Sequence, residues 1–215
     1  MSINKTYAVF GLGKYGRAVA KELTLNGIDV IAVDKYEDIV NEVALEIPVC
    51  KCADVTDPEV IKQLDMENVD VVIICMAESL EASVMAITLC KEAGVPTVIA
   101  KCSDEVHQRI FSRVGADKVV FPEKESGTRL AKNLLSNGFI DIIGLSKDVS
   151  MVEIPAKPEW IGKNLIELNL RKKYSINVVA ILNDDDVTTD IDPTTPLVKD
   201  TKLIVIANTS KLKKL

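Results

Sequence analysis

Apolar residues fall in short, β-branched runs along the first half of the chain: Thr6–Phe10, Ile28–Val33, Pro48–Cys52, Val69–Cys75, Pro96–Lys101 and Lys118–Phe121. Each run has the length and residue content of a strand. Segments with helical spacing separate them, such as Arg17-Ala18-Val19-Ala20-Lys21-Glu22-Leu23. Gly27, Gly94, Gly115 and Gly138 stand where helix ends favour a left-handed residue. Asp57-Pro58-Glu59 reads as an N-cap, a first-turn proline and an acid matched to the helix dipole. Strands alternating with helices predict βαβ units and a parallel sheet. Val71-Val72-Ile73-Ile74-Cys75 is apolar without alternation, as in a strand covered on both faces.

Beyond residue 121 the pattern changes. Glu125 to Asn137 has helical spacing and stops at Asn137-Gly138. After it come short strands at Val149–Ile154, Asn177–Leu182 and Leu203–Ala207, with one short helix near Asn164–Leu170. Asn183-Asp184-Asp185-Asp186 and Asp190-Ile191-Asp192-Pro193 carry turn chemistry. The expected fold is α/β: a Rossmann-like doubly wound parallel sheet with a second, smaller α+β domain. The expected boundaries are 1–121 for the sheet domain, 122–140 for a crossover helix, and 141–215 for the second domain. The tail Lys211-Leu212-Lys213-Lys214-Leu215 reads as a solvated end.

Composition narrows the function. The 215 residues carry 26 basic and 32 acidic side chains, a net charge of −6. That balance argues against nucleic acid as a partner, because phosphate backbones need clustered Lys and Arg. A single histidine, His107, excludes a multi-histidine metal site. The N-terminus lacks a signal-peptide pattern, and the apolar run Val71–Ala77 is far short of the roughly 20 residues of a membrane span. A soluble, cytoplasmic protein is expected. Cys50, Cys52, Cys75, Cys90 and Cys102 contain no CxxC pair and read as small hydrophobes in a reducing compartment.

The sharpest chemical signal is Gly11-Leu12-Gly13-Lys14-Tyr15-Gly16, a G-x-G-x-x-G that follows the first strand and opens the first helix. In that setting Gly11 permits the tight turn, Gly13 lets backbone approach a phosphate, and Gly16 allows close helix–strand packing. Asp34, with Lys35 after it, ends the second strand, where a carboxylate accepts from a ribose 2′-hydroxyl. A 2′-phosphate there would meet like charge, which disfavours NADP. The motif leaves NAD, ATP and ADP open. Other residues at strand C-terminal ends are Asp54 and Val55, Met76-Ala77-Glu78, Lys101-Cys102-Ser103, and Glu123, with His107 one helical turn past Ser103. Alone, Asp34 also fits a helix cap, His107 a surface or capping role, and Glu123 a first-turn helix acid.

The second domain has no His, one arginine (Arg171), and no nucleophile elbow or Walker lysine. A complete dinucleotide fold joined to so small a partner suggests sensing rather than turnover. The rival classes are an NAD-dependent oxidoreductase, motivated by the glycine loop and Asp34, and a redox-responsive DNA regulator, opposed by the acidic balance.

Gly11–Gly16, Ala32-Val33-Asp34, Gly115-Ala116-Asp117 and Phe121-Pro122-Glu123-Lys124 together resemble the RCK domain, the regulator of potassium conductance. Trp160-Ile161-Gly162-Lys163-Asn164-Leu165, Glu167-Leu168 and Leu170-Arg171-Lys172-Lys173-Tyr174 resemble the RCK C-terminal domain. The whole chain is similar to cytosolic regulatory subunits of Ktr/Trk-type potassium uptake systems. That resemblance implies a non-enzyme that gates a membrane-embedded potassium-translocating subunit from the cytoplasm, as a homodimer assembling into an octameric ring. It implies ATP and ADP, or NAD(H), at Gly11, Gly13, Lys14, Gly16, Asp34, Asp54, Val55, Lys101 and His107. It further implies Mg²⁺ or Ca²⁺ at Glu123 beside the dimer axis. In place of the family's frequent arginine stands Lys14, a point charge that cannot fork onto two oxygens. In some members cyclic di-AMP binds between C-terminal domains; the matching positions are Arg171, Asn177 and Pro193, with Leu165, Ile166 and Val178 placed to stack on bases.

Overall fold

The computed structural model describes residues 5–76, 79–135, 141–146, 148–183, 186–208 and 210. The chain divides into two compact units, Met1–Glu123 and Lys124–Leu215. In the first, strands and helices alternate: β1 (Tyr7–Phe10), α1 (Lys14–Leu25), β2 (Val30–Asp34), α2 (Glu37–Val43), β3 (Val49–Cys52), α3 (Pro58–Gln63), β4 (Val71–Ile74), α4 (Leu80–Glu92), β5 (Thr97–Lys101), α5 (Glu105–Arg113) and β6 (Lys118–Val120). The strands form one sheet in the order β3-β2-β1-β4-β5-β6. Every pairing is parallel. The order reverses direction at β1, the switch point of a doubly wound sheet.

The two-residue period of the strands sends alternate side chains to two cores. Ala8 and Phe10 of β1, with Val72 and Ile74 of β4, join Ile61, Ala86, Ile87 and Phe111 from α3, α4 and α5. Val9, Val71 and Ile73 join Ala20 and Val43 from α1 and α2 on the other face. All four β4 residues are buried, which accounts for the unbroken apolar run. Caps set the helix starts. The Asp57 carboxylate accepts from Glu59 N at 2.9 Å, and Asp104 accepts from Val106 N and His107 N at 2.7 and 2.8 Å. Gly27, Gly94 and Gly115 all have positive φ at helix ends, whereas Asn137 and Gly138 lie outside the described residues.

Helix α6 (Pro122–Leu135) starts three positions earlier than Glu125, because Pro122 suits the first helical turn. The second unit then holds β7 (Asp141–Gly144), β8 (Val149–Pro155), α7 (Leu165–Leu168), α8 (Leu170–Tyr174), β9 (Ile176–Asn183), β10 (Asp186–Thr188) and β11 (Lys202–Asn208). Its sheet runs β10-β9-β11-β8-β7, antiparallel throughout. Trp160, Leu168, Leu170, Ile176, Leu203 and Val205 form its core. The single helix expected near Asn164–Leu170 is two. Asn169, at φ 47°, ends α7 in the left-handed region and also precedes α8. Strands β7 and β10 are additions to the expected set. Asp184, Asp185 and Lys211–Leu215 lie outside the described residues.

Candidate functional site

The turn between β1 and α1 uses its three glycines in three ways. Gly11 has φ +87°, and a Cβ there would lie 2.9 Å from Met76 Cγ. At Gly16 a Cβ would overlap the Gly11 carbonyl oxygen, so the helix can approach β1 only without a side chain. Gly13 differs from both. Its φ of −64° and ψ of −173° suit any residue, and a Cβ would meet nothing within 4 Å. No protein packing requires glycine at 13. Gly13 is the N-cap of α1, makes no side-chain cap bond, and is followed by a first turn without acids. The N-terminal turn of α1 and the positive end of the helix dipole therefore lie beside open space at Gly13, a setting suited to a phosphate.

Asp34 ends β2 and is 9% exposed. Its Oδ2 accepts from Leu12 N at 2.7 Å and its Oδ1 from Tyr36 N at 3.0 Å. The carboxylate thus clips the glycine loop to the end of β2, a role the sequence did not reveal. Each oxygen keeps lone-pair capacity for a further donor such as a ribose hydroxyl. Lys35 is exposed, with its ammonium 4.8 Å from the Tyr36 ring centroid. Hydrogen bonding to Tyr36, helped by Asp54 and Asp34, holds the ammonium pKa above its ordinary value. Asp54, after β3, accepts from Thr56 N at 3.0 Å and Thr56 Oγ at 2.7 Å, and those bonds lower its pKa. Val55 beside it is buried.

Past β4, the Met76 carbonyl accepts from the buried Ser83 hydroxyl at 2.9 Å; Ala77 and Glu78 lie outside the described residues. At the end of β5, the Lys101 ammonium pairs with Glu123 at 2.7 Å and sits 5.7 Å from the Tyr15 ring centroid. The Lys101 side chain is 16% exposed and that of Glu123 61%. The Lys101 bond is the chief reason the Glu123 carboxyl titrates below its ordinary value. Cys102 is buried, and burial pushes its thiol upward. His107 Nδ1 lies 3.1 Å from Ser103 Oγ, and Nε2 lies 3.5 Å from Asp104 Oδ2. Its ring also packs on Phe111, 5.9 Å between centroids. Ser103 as donor and Asp104 as acceptor are jointly satisfied when the ring proton is on Nε2. Asp104 thus caps α5 and orients His107; its cue was an Asp directly before a helical run.

All these positions sit at or just past the C-terminal ends of the six parallel strands, the edge where such folds bind ligands. Direct contacts join Asp34 to the loop, and Lys101 to both Tyr15 and Glu123. Lys14 is exposed. Among the described residues no group of three or more His, Cys, Asp or Glu is arranged to hold a metal. Glu123 alone supplies a single carboxylate, too little for a cation cage within one chain.

In the second unit Arg171, Asn177 and Pro193 are exposed, and Ile166 is 61% exposed. Leu165 and Val178 are partly buried against that unit's core, which limits the surface they offer to a base. Lys157 lies over the Trp160 and Tyr174 rings, at 5.6 and 5.4 Å.

A 3-2-1-4-5-6 parallel sheet with a glycine-rich first turn and a strand-two acid defines a Rossmann-type fold. The TrkA-N domain model matches residues 7–122 and the TrkA-C domain model residues 149–215. The chain is 36% identical to Ktr system potassium uptake protein C of Bacillus subtilis, over 98% of this chain and 95% of that one. It is 32% identical to Ktr system potassium uptake protein A of Vibrio alginolyticus, over 97% and 95%. The chain belongs to the TrkA family of Ktr and Trk potassium uptake proteins. Among solved structures it superposes on the GsuK channel bound to NAD with a TM-score of 0.65 at 18% identity, covering 98% of this chain and 38% of that longer one. The NAD(P)-binding domain of an exopolyphosphatase-related protein from Archaeoglobus fulgidus gives a TM-score of 0.53 at 25% identity, covering 60% and 96%. Among the described residues no helix is long and apolar enough to cross a membrane.

Proposed function

We propose that this chain is the ligand-sensing, non-enzymatic gating subunit of a Ktr/Trk-type potassium uptake system. It acts from the cytoplasm on a membrane-embedded potassium-translocating partner. Residues 1–121 bind an adenine nucleotide, residues 122–140 link the two domains, and residues 141–215 regulate. The observation that carries the reading is Gly13: an open approach to a helix N-terminus, with Asp34 bonded to the same loop. Phosphates would lie on the N-terminus of α1, and the ribose would donate to Asp34. ATP and ADP fit this geometry, as do NAD and NADH.

The subunit works as a homodimer within an octameric ring, where Glu123 contributes one oxygen to a Mg²⁺ or Ca²⁺ ion shared with the phosphates. Cyclic di-AMP binds the second unit through Arg171, Asn177 and Pro193, with Ile166 as the exposed stacking residue. The test is a thermal-melt titration of the purified chain with ATP, ADP, NAD, NADH and cyclic di-AMP, with light scattering for assembly. Bound ligands raise Tm in proportion to RT ln(1 + [L]/Kd). A strict monomer that no nucleotide stabilises overturns the reading. Sustained NADH turnover, lost in His107→Ala, would replace it with an oxidoreductase. Equal cyclic di-AMP affinity in wild type and Arg171→Ala removes the second-unit assignment.

A further inference from the structure

The Lys101–Glu123 pair is asymmetric. The ammonium is sheltered at 16% side-chain exposure, while the carboxylate is 61% exposed. If the pair opens, Glu123 gains water, whereas Lys101 needs another anion close by. The Tyr15 ring, in the first turn of α1, lies 5.7 Å from Lys101 Nζ. The ammonium therefore stands near a first-turn side chain of α1, the helix whose N-terminus is the phosphate site of the nucleotide reading. A phosphate carries more charge than a carboxylate and so competes well for a sheltered cation. Glu123 itself is in the first turn of α6.

We propose that Lys101 is a contested cation: a bound phosphate chain takes it from Glu123, and nucleotide occupancy is thereby read out as release of the first turn of α6. The inference rests on the nucleotide reading above and adds a route by which binding leaves the site. Tyr15 acts as a positioning residue, its ring holding Lys101 toward α1 whichever anion is bound.

Calorimetry of ADP binding to the full chain tests this, in a chelator so that no divalent cation engages Glu123. The proteins are wild type, Glu123→Gln, Lys101→Met and the double variant. Lys101→Met weakens ADP about tenfold, the loss of one charge-assisted contact. Glu123→Gln tightens it roughly 2–5-fold, because the pair no longer has to be broken. In the Lys101→Met background Glu123→Gln changes affinity less than about 1.5-fold, since the two changes share one interaction. A carboxylate acting only through its general field would give the same factor in both backgrounds, and that result overturns the proposal. Hydrogen exchange at Ser126–Thr128 of α6, the amides placed to donate to the first-turn carbonyls, should rise with ADP in wild type and be already raised without ADP in Glu123→Gln; ADP-independent exchange there in wild type also overturns it. If wild type binds ADP but the cycle shows no coupling, only the relay fails. If wild type binds no ADP, the nucleotide reading fails with it.

Discussion

The three loop glycines give a prediction in which stability and binding separate. Gly13→Ala places a methyl where nothing lies within 4 Å, at a φ of −64° that alanine adopts freely. Reduced freedom in the unfolded chain stabilises such a change by about 0.4–1 kcal/mol. Alanine is a poorer N-cap than glycine by a few tenths of a kcal/mol or somewhat more, so the two effects roughly cancel. The melting temperature should stay within about 2 °C of wild type at roughly 2–4 °C per kcal/mol. Binding behaves otherwise. The methyl fills the approach to the α1 N-terminus and holds a phosphate off one or more N–H groups. Each hydrogen bond to a charged group is worth about 1.5–3 kcal/mol, so ADP should bind roughly 10–100-fold more weakly. Gly16→Ala is the counter-case. Its methyl overlaps the Gly11 carbonyl oxygen, and the backbone must move. The cost belongs at the upper end of overpacking, about 3 kcal/mol, or a fall of about 6–12 °C. Calorimetric melts and ADP titrations on both variants decide the matter. Gly13→Ala with wild-type ADP affinity would refute the phosphate role of the loop. Gly13→Ala melting many degrees low would show that the open space is structural after all.

Asp34→Ala should lower both stability and binding, because Leu12 N and Tyr36 N lose their acceptor; about 1–3 kcal/mol per unsatisfied group is expected in urea unfolding. Asp117 accepts from Val98 N at 2.7 Å, the chief cause of its lowered pKa, with Lys91 at 3.0 Å assisting. A carboxylate lowered on folding stabilises the protein above its unfolded pKa and loses that contribution as pH falls through the folded value. Asp117→Asn should therefore cost stability at pH 7, under about 1 kcal/mol for so exposed a pair, and the gap to wild type should close as pH falls below the ordinary carboxylate range and through the lowered folded value. Burial pushes the Cys90 thiol to about 12, so at pH 8 only about one molecule in ten thousand is thiolate there. Iodoacetamide followed by peptide mass spectrometry should label exposed Cys52 first and leave Cys90 unmodified in the native protein.

The parallel half of the fold was legible because most of its strands are short apolar, β-branched runs closed by local turn chemistry. Val71–Ile74 is buried at all four positions and reads directly from composition. β10 was not legible for the opposite reason. Asp186, Val187 and Thr188 are all exposed, so no burial pattern marks them, and the strand exists only through its pairing with Asn183, Leu182 and Ile181. The break between α7 and α8 hid in a similar way. Leu165, Ile166, Leu168 and Leu170 follow one another without Gly or Pro and so read as one helix, and a single left-handed Asn169 divides it.

The same contrast runs through the site. Gly11, Gly13 and Gly16 are a local signal, since strand, turn and helix N-terminus lie within a few residues of one another. The Lys101–Glu123 pair is not local: it exists because β5 and β6 are neighbours, and neither residue carries a mark of the other. Asp34 stands between these cases. Its position at the strand end announced a ligand acid, but its bonds to Leu12 N and Tyr36 N make it part of the loop's own support. One buried carboxylate that shapes the loop and, in the proposed reading, accepts from a ribose would tie binding to folding. Loss of Asp34 should therefore resemble loss of the loop, whereas loss of Gly13 should touch the ligand alone.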